Sequence, residues 1–108
     1  MLNLYIRPAA SDDIDEIIDY LVGESVPAAQ GFVKDLQKCF DLLAENPEIG
    51  TPREYRSAAL SGMRMFPLKK FSTYLVFYLS DYQTIDIVRM LHGKQDIERL
   101  FGQVSTSE

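Results

Sequence analysis

Residues 8–45 carry two helical patterns in immediate succession, and together they restrict what this chain can become. Pro8 opens the first, at a position where its missing N–H would have no helical partner anyway. Ile14, Ile17, Ile18 and Leu21 then recur at helical spacing, with Asp12, Asp13, Asp15, Glu16 and Asp19 between them, and the pattern ends near Gly23. The acids fall in the opening turns, where the helix dipole favours negative charge. Ser25-Val26-Pro27 restarts the pattern with a capping serine and a second proline. Ala29, Phe32, Val33, Leu36, Cys39, Phe40 and Leu43 then share one stripe until Asn46-Pro47 ends it. A link of about three or four residues predicts an antiparallel hairpin. Its wide apolar face has to be buried on something else.

The rest of the chain supplies that partner. Asn46 to Leu60 reads as a surface connection, punctuated by Pro47, Gly50 and Pro52. Met63 to Leu68, Thr73 to Leu79 and Thr84 to Leu91 read as three strands, joined through Lys69-Lys70 and Ser80-Asp81-Tyr82-Gln83. The middle run is apolar on both faces, as a central strand requires: Leu75, Phe77 and Leu79 on one, Tyr74, Val76 and Tyr78 on the other. In the last run Ile85, Ile87, Arg89 and Leu91 alternate with Asp86, Val88, Met90 and His92. A β-like run, Leu4 to Arg7, precedes the hairpin, and a short helix from Asp96 to about Phe101 follows the strands. The expectation is an α+β fold of order β-α-α-β-β-β-(α), an antiparallel helical hairpin on one face of a mostly antiparallel sheet. Residues 1–102 are expected to form a single domain without repeats, and 103–108 a disordered polar tail.

Charge narrows the function classes. Residues 1–50 carry three basic side chains, Arg7, Lys34 and Lys38, against ten acidic ones, a net −7. Residues 51–108 carry eight basic against six acidic, a net +2, which together give the −5 of the whole chain. Unspecific binding to nucleic acid needs a strongly positive surface, which this balance does not provide. Between Arg53 and Lys70 stand five basic residues and one acid, Glu54, so a second face suited to an acidic partner is open alongside the reading of two ordinary solvated surfaces. The lone Cys39 falls in the apolar helical stripe and reads as a buried free thiol, in keeping with a cytoplasmic location. The N-terminus reads as no secretion signal, and no apolar run has the length of a membrane span.

No metal, phosphate or cofactor motif is legible: one His and one Cys are present, and Gly50, Gly62 and Gly93 stand alone. The single suggestive set is Arg64, Arg89, His92 and Lys94 on the uncovered face of the sheet. Cleavage of RNA by its 2′-hydroxyl needs a base, an acid and cations around the phosphate, and these four could be combined so. The plainer reading, which the residues alone favour, is that the arginines are cross-strand surface residues and His92 ends a strand above a glycine turn.

The order of motifs is more specific than any one of them. A helical hairpin, then N-P-E-I-G, G-M-R-M-F-P-L, Y-L-V-F-Y and I-V-R-M-L-H-G-K-Q-D-I, resembles the ParE/RelE superfamily of toxins from bacterial type II toxin–antitoxin (plasmid stabilisation) systems, over Tyr5 to Ile97. The ending Arg-x-Leu-His-Gly-x-x-Asp-Ile is most like the ParE branch, whose members poison DNA gyrase, where RelE toxins cut mRNA on the ribosome. Four departures separate this chain from the nuclease branch. Leu75 stands where a basic residue is typical in the third strand, Gln95 where an arginine follows the Gly-Lys turn, and Phe101 where a tyrosine is expected. The chain is also acidic, whereas RelE toxins are strongly basic.

The resemblance therefore implies a binder with no catalytic residue, no metal and no cofactor. Its partner would be a ParD-like antitoxin, a ribbon-helix-helix dimer whose disordered C-terminal segment folds onto the toxin, with operator DNA reached only through that antitoxin. Arg53, Arg56, Arg64, Lys69, Lys70 and Tyr74 are the expected antitoxin contacts; Arg89, His92, Gly93 and Lys94 the expected contacts to DNA gyrase. His92 is expected to hold the turn from Leu91 to Lys94 and not to shuttle protons. A RelE-type endoribonuclease and a non-toxic co-repressor subunit stay open as alternatives.

Overall fold

The computed structural model describes residues 1–102; the expected tail, 103–108, lies outside them. The first strand, β1 (Asn3–Ile6), leads through Arg7 into helix α1 (Pro8–Glu24), and helix α2 (Val26–Glu45) follows. The link between the helices is shorter than its sequence suggests. Ser25 alone, in extended conformation, closes α1 by donating its N–H to Leu21 O and opens α2 by accepting from the Ala28 N–H through Oγ. One residue that is both caps leaves the helices no choice but to fold back on each other. The first turn of α1, Pro8 to Ser11, holds no acid, so the expected dipole stabilisation at that end does not arise from side chains.

The remaining elements are β2 (Thr51–Pro52), a 3₁₀ turn at Ala58–Leu60, β3 (Arg64–Pro67), β4 (Tyr74–Ser80), β5 (Thr84–His92) and α3 (Ile97–Phe101). The five strands lie in the order β1-β5-β4-β3-β2, with β1 parallel to β5 and every other pairing antiparallel. This is the expected α+β fold. The apolar stripes of both helices, with Phe32, Leu36, Phe40 and Leu43 at their centre, bury against Tyr74, Val76, Tyr78, Ile85, Ile87 and Met90. At about 25 cal/mol per Å² of apolar surface, this layer is the main driving force for the fold.

Two expectations need correction. The alternation in the last strand is interrupted: Phe77 pairs with Arg89 and Tyr78 with Ile87, so Val88 is an extra residue, a bulge. Met90 therefore joins Ile85 and Ile87 under the helices, while Val88 and Leu91 turn to the opposite face. That opposite face is also not open. Tyr55, Met63, Phe77, Val88, Leu91 and Phe101 form a second apolar cluster there, beneath the segment from Tyr55 to Met63 and α3. Phe101 sits 5.0 Å from both the Tyr55 and Phe77 rings.

Candidate functional site

β1 ends at Ile6, and from that point β5 runs on without a neighbour on that side. The vacancy is filled by a side chain. Asp13 of α1 accepts the Met90 N–H at 3.0 Å, the kind of bond the missing strand would have made, and grips the Arg89 guanidinium at 2.7 and 2.8 Å. The paired carboxylate holds the Arg89 proton, raising its pKa from the ordinary value against the opposing effect of burial. Arg89 thus joins α1 to β5, and its charge is matched inside the molecule. An analogous clamp joins the other end of the same boundary, where Arg7 meets Asp86 at 2.9 and 3.0 Å.

Beyond Arg89 the strand ends in a turn that ties itself together. His92 Nδ1 accepts the Lys94 N–H at 3.0 Å, the His92 N–H donates to Gln95 Oε1 at 2.7 Å, and the Gln95 N–H donates to His92 O. The imidazole holds the turn, as its sequence position suggests. With Nδ1 an acceptor from the backbone, the ring is fixed edge-on to Tyr74, centroids 5.3 Å apart. The Gly93 N–H donates to Thr73 O at 2.7 Å, which docks the turn on β4. A Cβ at Gly93 would meet Thr73 O at 3.5 Å, an ordinary contact, so the backbone does not demand glycine there.

The four residues of the conceivable nuclease set do not converge. Arg64 lies on β3 and donates to the carbonyls of Glu48 and Gly50. Arg89 is held by Asp13, and His92 has spent one ring nitrogen on its own turn. Of the four, Lys94 alone points an exposed cation outward without a bond in the described residues. The positions that separate this chain from the nuclease branch have structural duties. Leu75 packs in the second apolar cluster, Gln95 closes the His92 turn, and Phe101 anchors α3.

The expected antitoxin contacts split into separate places. Lys69 and Lys70 sit exposed in the β3–β4 connection, whose backbone is pinned to α2 because the buried Asp35 accepts the N–H groups of Lys70 and Phe71, each at 2.9 Å. Arg53 and Arg56 lie at the opposite end of β3, where the Arg53 N–H donates to Met63 O. Tyr74 is buried between Phe32 and His92. Sequence reasoning missed the carboxylates altogether: Asp13 and Asp35 look like two more acids on solvated helices. The one available signal was position, since each lies beside the apolar stripe of its helix.

No group of three or more His, Cys, Asp or Glu side chains suited to a metal occurs among the described residues. Nor, among these residues, is any helix long and apolar enough to cross a membrane.

Known proteins are similar to this chain in sequence and in fold. The family model of the ParE toxin of the type II toxin-antitoxin system, parDE, matches residues 4–97. Two relatives named Toxin ParE1, from Mycobacterium tuberculosis strains CDC 1551 / Oshkosh and ATCC 25618 / H37Rv, are each 32% identical to this chain, covering 87% of it and 92% of their own length. A solved structure of the chromosomal ParDE TA system from P. aeruginosa includes a chain that superposes with a TM-score of 0.67 at 22% identity, covering 85% of this chain and 96% of that one. At that identity the likeness is one of fold. With the hairpin, the sheet order and the match over residues 4–97 in agreement, this chain belongs to the ParE toxin family of type II toxin–antitoxin systems.

Proposed function

We propose that this toxin acts by binding: a ParD-like antitoxin neutralises it, and the free chain engages DNA gyrase and blocks replication. The observation that carries the reading is the commitment of the polar residues that a nuclease centre would need. General acid–base cleavage needs a proton carrier within reach of a cationic phosphate clamp. Here Arg89 is bonded to Asp13, Arg64 to two carbonyls, and His92 to its own turn. What remains at the end of β5 is a self-bonded turn, His92-Gly93-Lys94, whose exposed Gly93 and Lys94 suit docking on a surface. Lys69 and Lys70, held out on a pinned connection, suit acidic residues of an antitoxin segment that orders as it binds. The antitoxin carries the operator-binding part, so this chain reaches DNA only through it, and the pair works in the cytoplasm.

The test is a cleavage-complex assay. Purified toxin, gyrase and supercoiled plasmid are incubated, and protein-linked linear DNA is measured after denaturation. Accumulation that rises with toxin and vanishes when antitoxin is added supports the reading. Unchanged gyrase activity at saturating toxin refutes it.

A further inference from the structure

A cleft of about 350 Å³ opens between α1 and the end of β5, beside the turn just described. Ile17 and the buried Met90 give it apolar surface, and Tyr20, Tyr74 and His92 bring three aromatic rings to its walls. Tyr74 and His92 are fixed edge-to-face, whereas Tyr20 is 60% exposed and open to contact by an occupant. Two carboxylates also face the cleft, and they differ. Asp13 is saturated by Arg89 and the Met90 N–H, whereas Glu16 makes no hydrogen bond or ion pair among the described residues. Its field nevertheless reaches the Arg89 guanidinium and helps keep it charged. Asp12, Asp15 and Asp19 on the same helix add to the negative potential.

The geometry points to a receptor for one arginine side chain of the antitoxin. An apolar floor suits the methylene stem, ring faces attract a weakly hydrated planar cation, and Glu16 supplies the counter-charge. The acidic surface of α1 repels an acidic occupant, so the partner's segment is acidic where it meets Lys69 and Lys70 and basic where it meets this cleft. This rests on the antitoxin reading above and adds a second, oppositely charged anchor to it.

The experiment has two arms. In the first, calorimetric titration measures antitoxin binding to the parent toxin and to Glu16→Gln, Tyr20→Ala and Asp19→Asn. Glu16→Gln is expected to weaken binding by roughly twofold to fivefold, the scale of a partly exposed ion pair, and Tyr20→Ala by roughly twofold to thirtyfold, the scale of a cation–π contact. Asp19, which does not line the cleft, should change it by less than about twofold. Equal binding by all four chains overturns the proposal, and unfolding midpoints verify that each variant is folded. In the second arm, a blocked tripeptide with a central arginine is titrated into the free toxin and followed by NMR. Shifts of the Tyr20, Tyr74 and His92 ring signals, absent with a central glutamine, support the site. No shift overturns it. If no ParD-like antitoxin binds even the parent chain, the functional reading falls and the occupant with it. Peptide binding combined with antitoxin affinity indifferent to Glu16 overturns the assignment of the arginine to the antitoxin.

Discussion

Asp13 and Arg89, 76 residues apart in sequence, are joined by two hydrogen bonds of 2.7 and 2.8 Å, and the same carboxylate caps the Met90 N–H. One side chain thus completes the sheet where β1 leaves it and neutralises the cation on the strand end. Replacing Asp13 by Ala strands both a partly buried guanidinium and a backbone donor, and should cost about 2–3 kcal/mol of stability. Asp13→Asn keeps an acceptor for Met90 and should cost less. Urea unfolding of the two variants checks both the size and the order.

A second joint links β4 to the connection after α2. The Tyr78 hydroxyl donates to Pro47 O at 2.8 Å and accepts the Gly50 N–H at 2.9 Å. A Cβ at Gly50 would lie 2.6 Å from that hydroxyl and 3.0 Å from the Arg64 Cβ, which leaves no room for any other residue. Gly50→Ala should destabilise by about 2 kcal/mol or more through overpacking. Tyr78→Phe should cost about 1–3 kcal/mol by leaving the buried Gly50 N–H and the partly buried Pro47 carbonyl without this partner. The lost hydroxyl removes only the nearest contact, since the ring Cε1 at 2.8 Å and the Arg64 Cβ at 3.0 Å remain, so the double variant should lose somewhat less than the sum of the two. Additive losses would show that the clash is relieved elsewhere.

Cys39 gives a pH signature. Burial in the α2 stripe, reinforced by the nearby Asp35 charge, pushes its thiol from the ordinary 9.0 up to about 12. In the unfolded chain the thiol ionises from pH 9 upward while the folded chain keeps its proton. Stability from this group is therefore complete below pH 9 and is lost as pH rises towards 12. Between pH 8 and 10.5 the parent chain should lose about 2 kcal/mol more than Cys39→Ala. The Tyr78 phenol, raised chiefly by burial and only last by Cys39 itself, contributes the same sign in both chains and largely cancels in the difference. The thiol should also resist iodoacetamide at pH 8 until urea unfolds the protein.

The architecture could be read from the sequence because it rests on periodicity. The stripes from Ile14 to Leu21 and Ala29 to Leu43, and the doubly apolar run Tyr74 to Leu79, bury where their spacing places them. The far-face cover was hidden because Tyr55, Leu60 and Met63 are scattered through a segment rich in turn residues, with no period to betray them. The Val88 bulge was hidden for a different reason: one extra residue in a strand leaves composition unchanged but flips every side chain beyond it. The site suffered most. That His92 holds its own turn is implied by the family resemblance and needs only local contacts, but Arg89 and Arg64 find partners far along the chain. Reading them as available cations required knowledge of long-range contacts that spacing does not carry.

Transcript integrity in a translating extract tests the central claim most directly, that this toxin binds and does not cleave. Purified toxin is added to an extract translating a defined message, and primer extension maps new 5′ ends. Full-length message is expected at all toxin concentrations, for the parent chain and for His92→Ala alike. New ends within codons that appear with the parent chain and disappear with His92→Ala would contradict it.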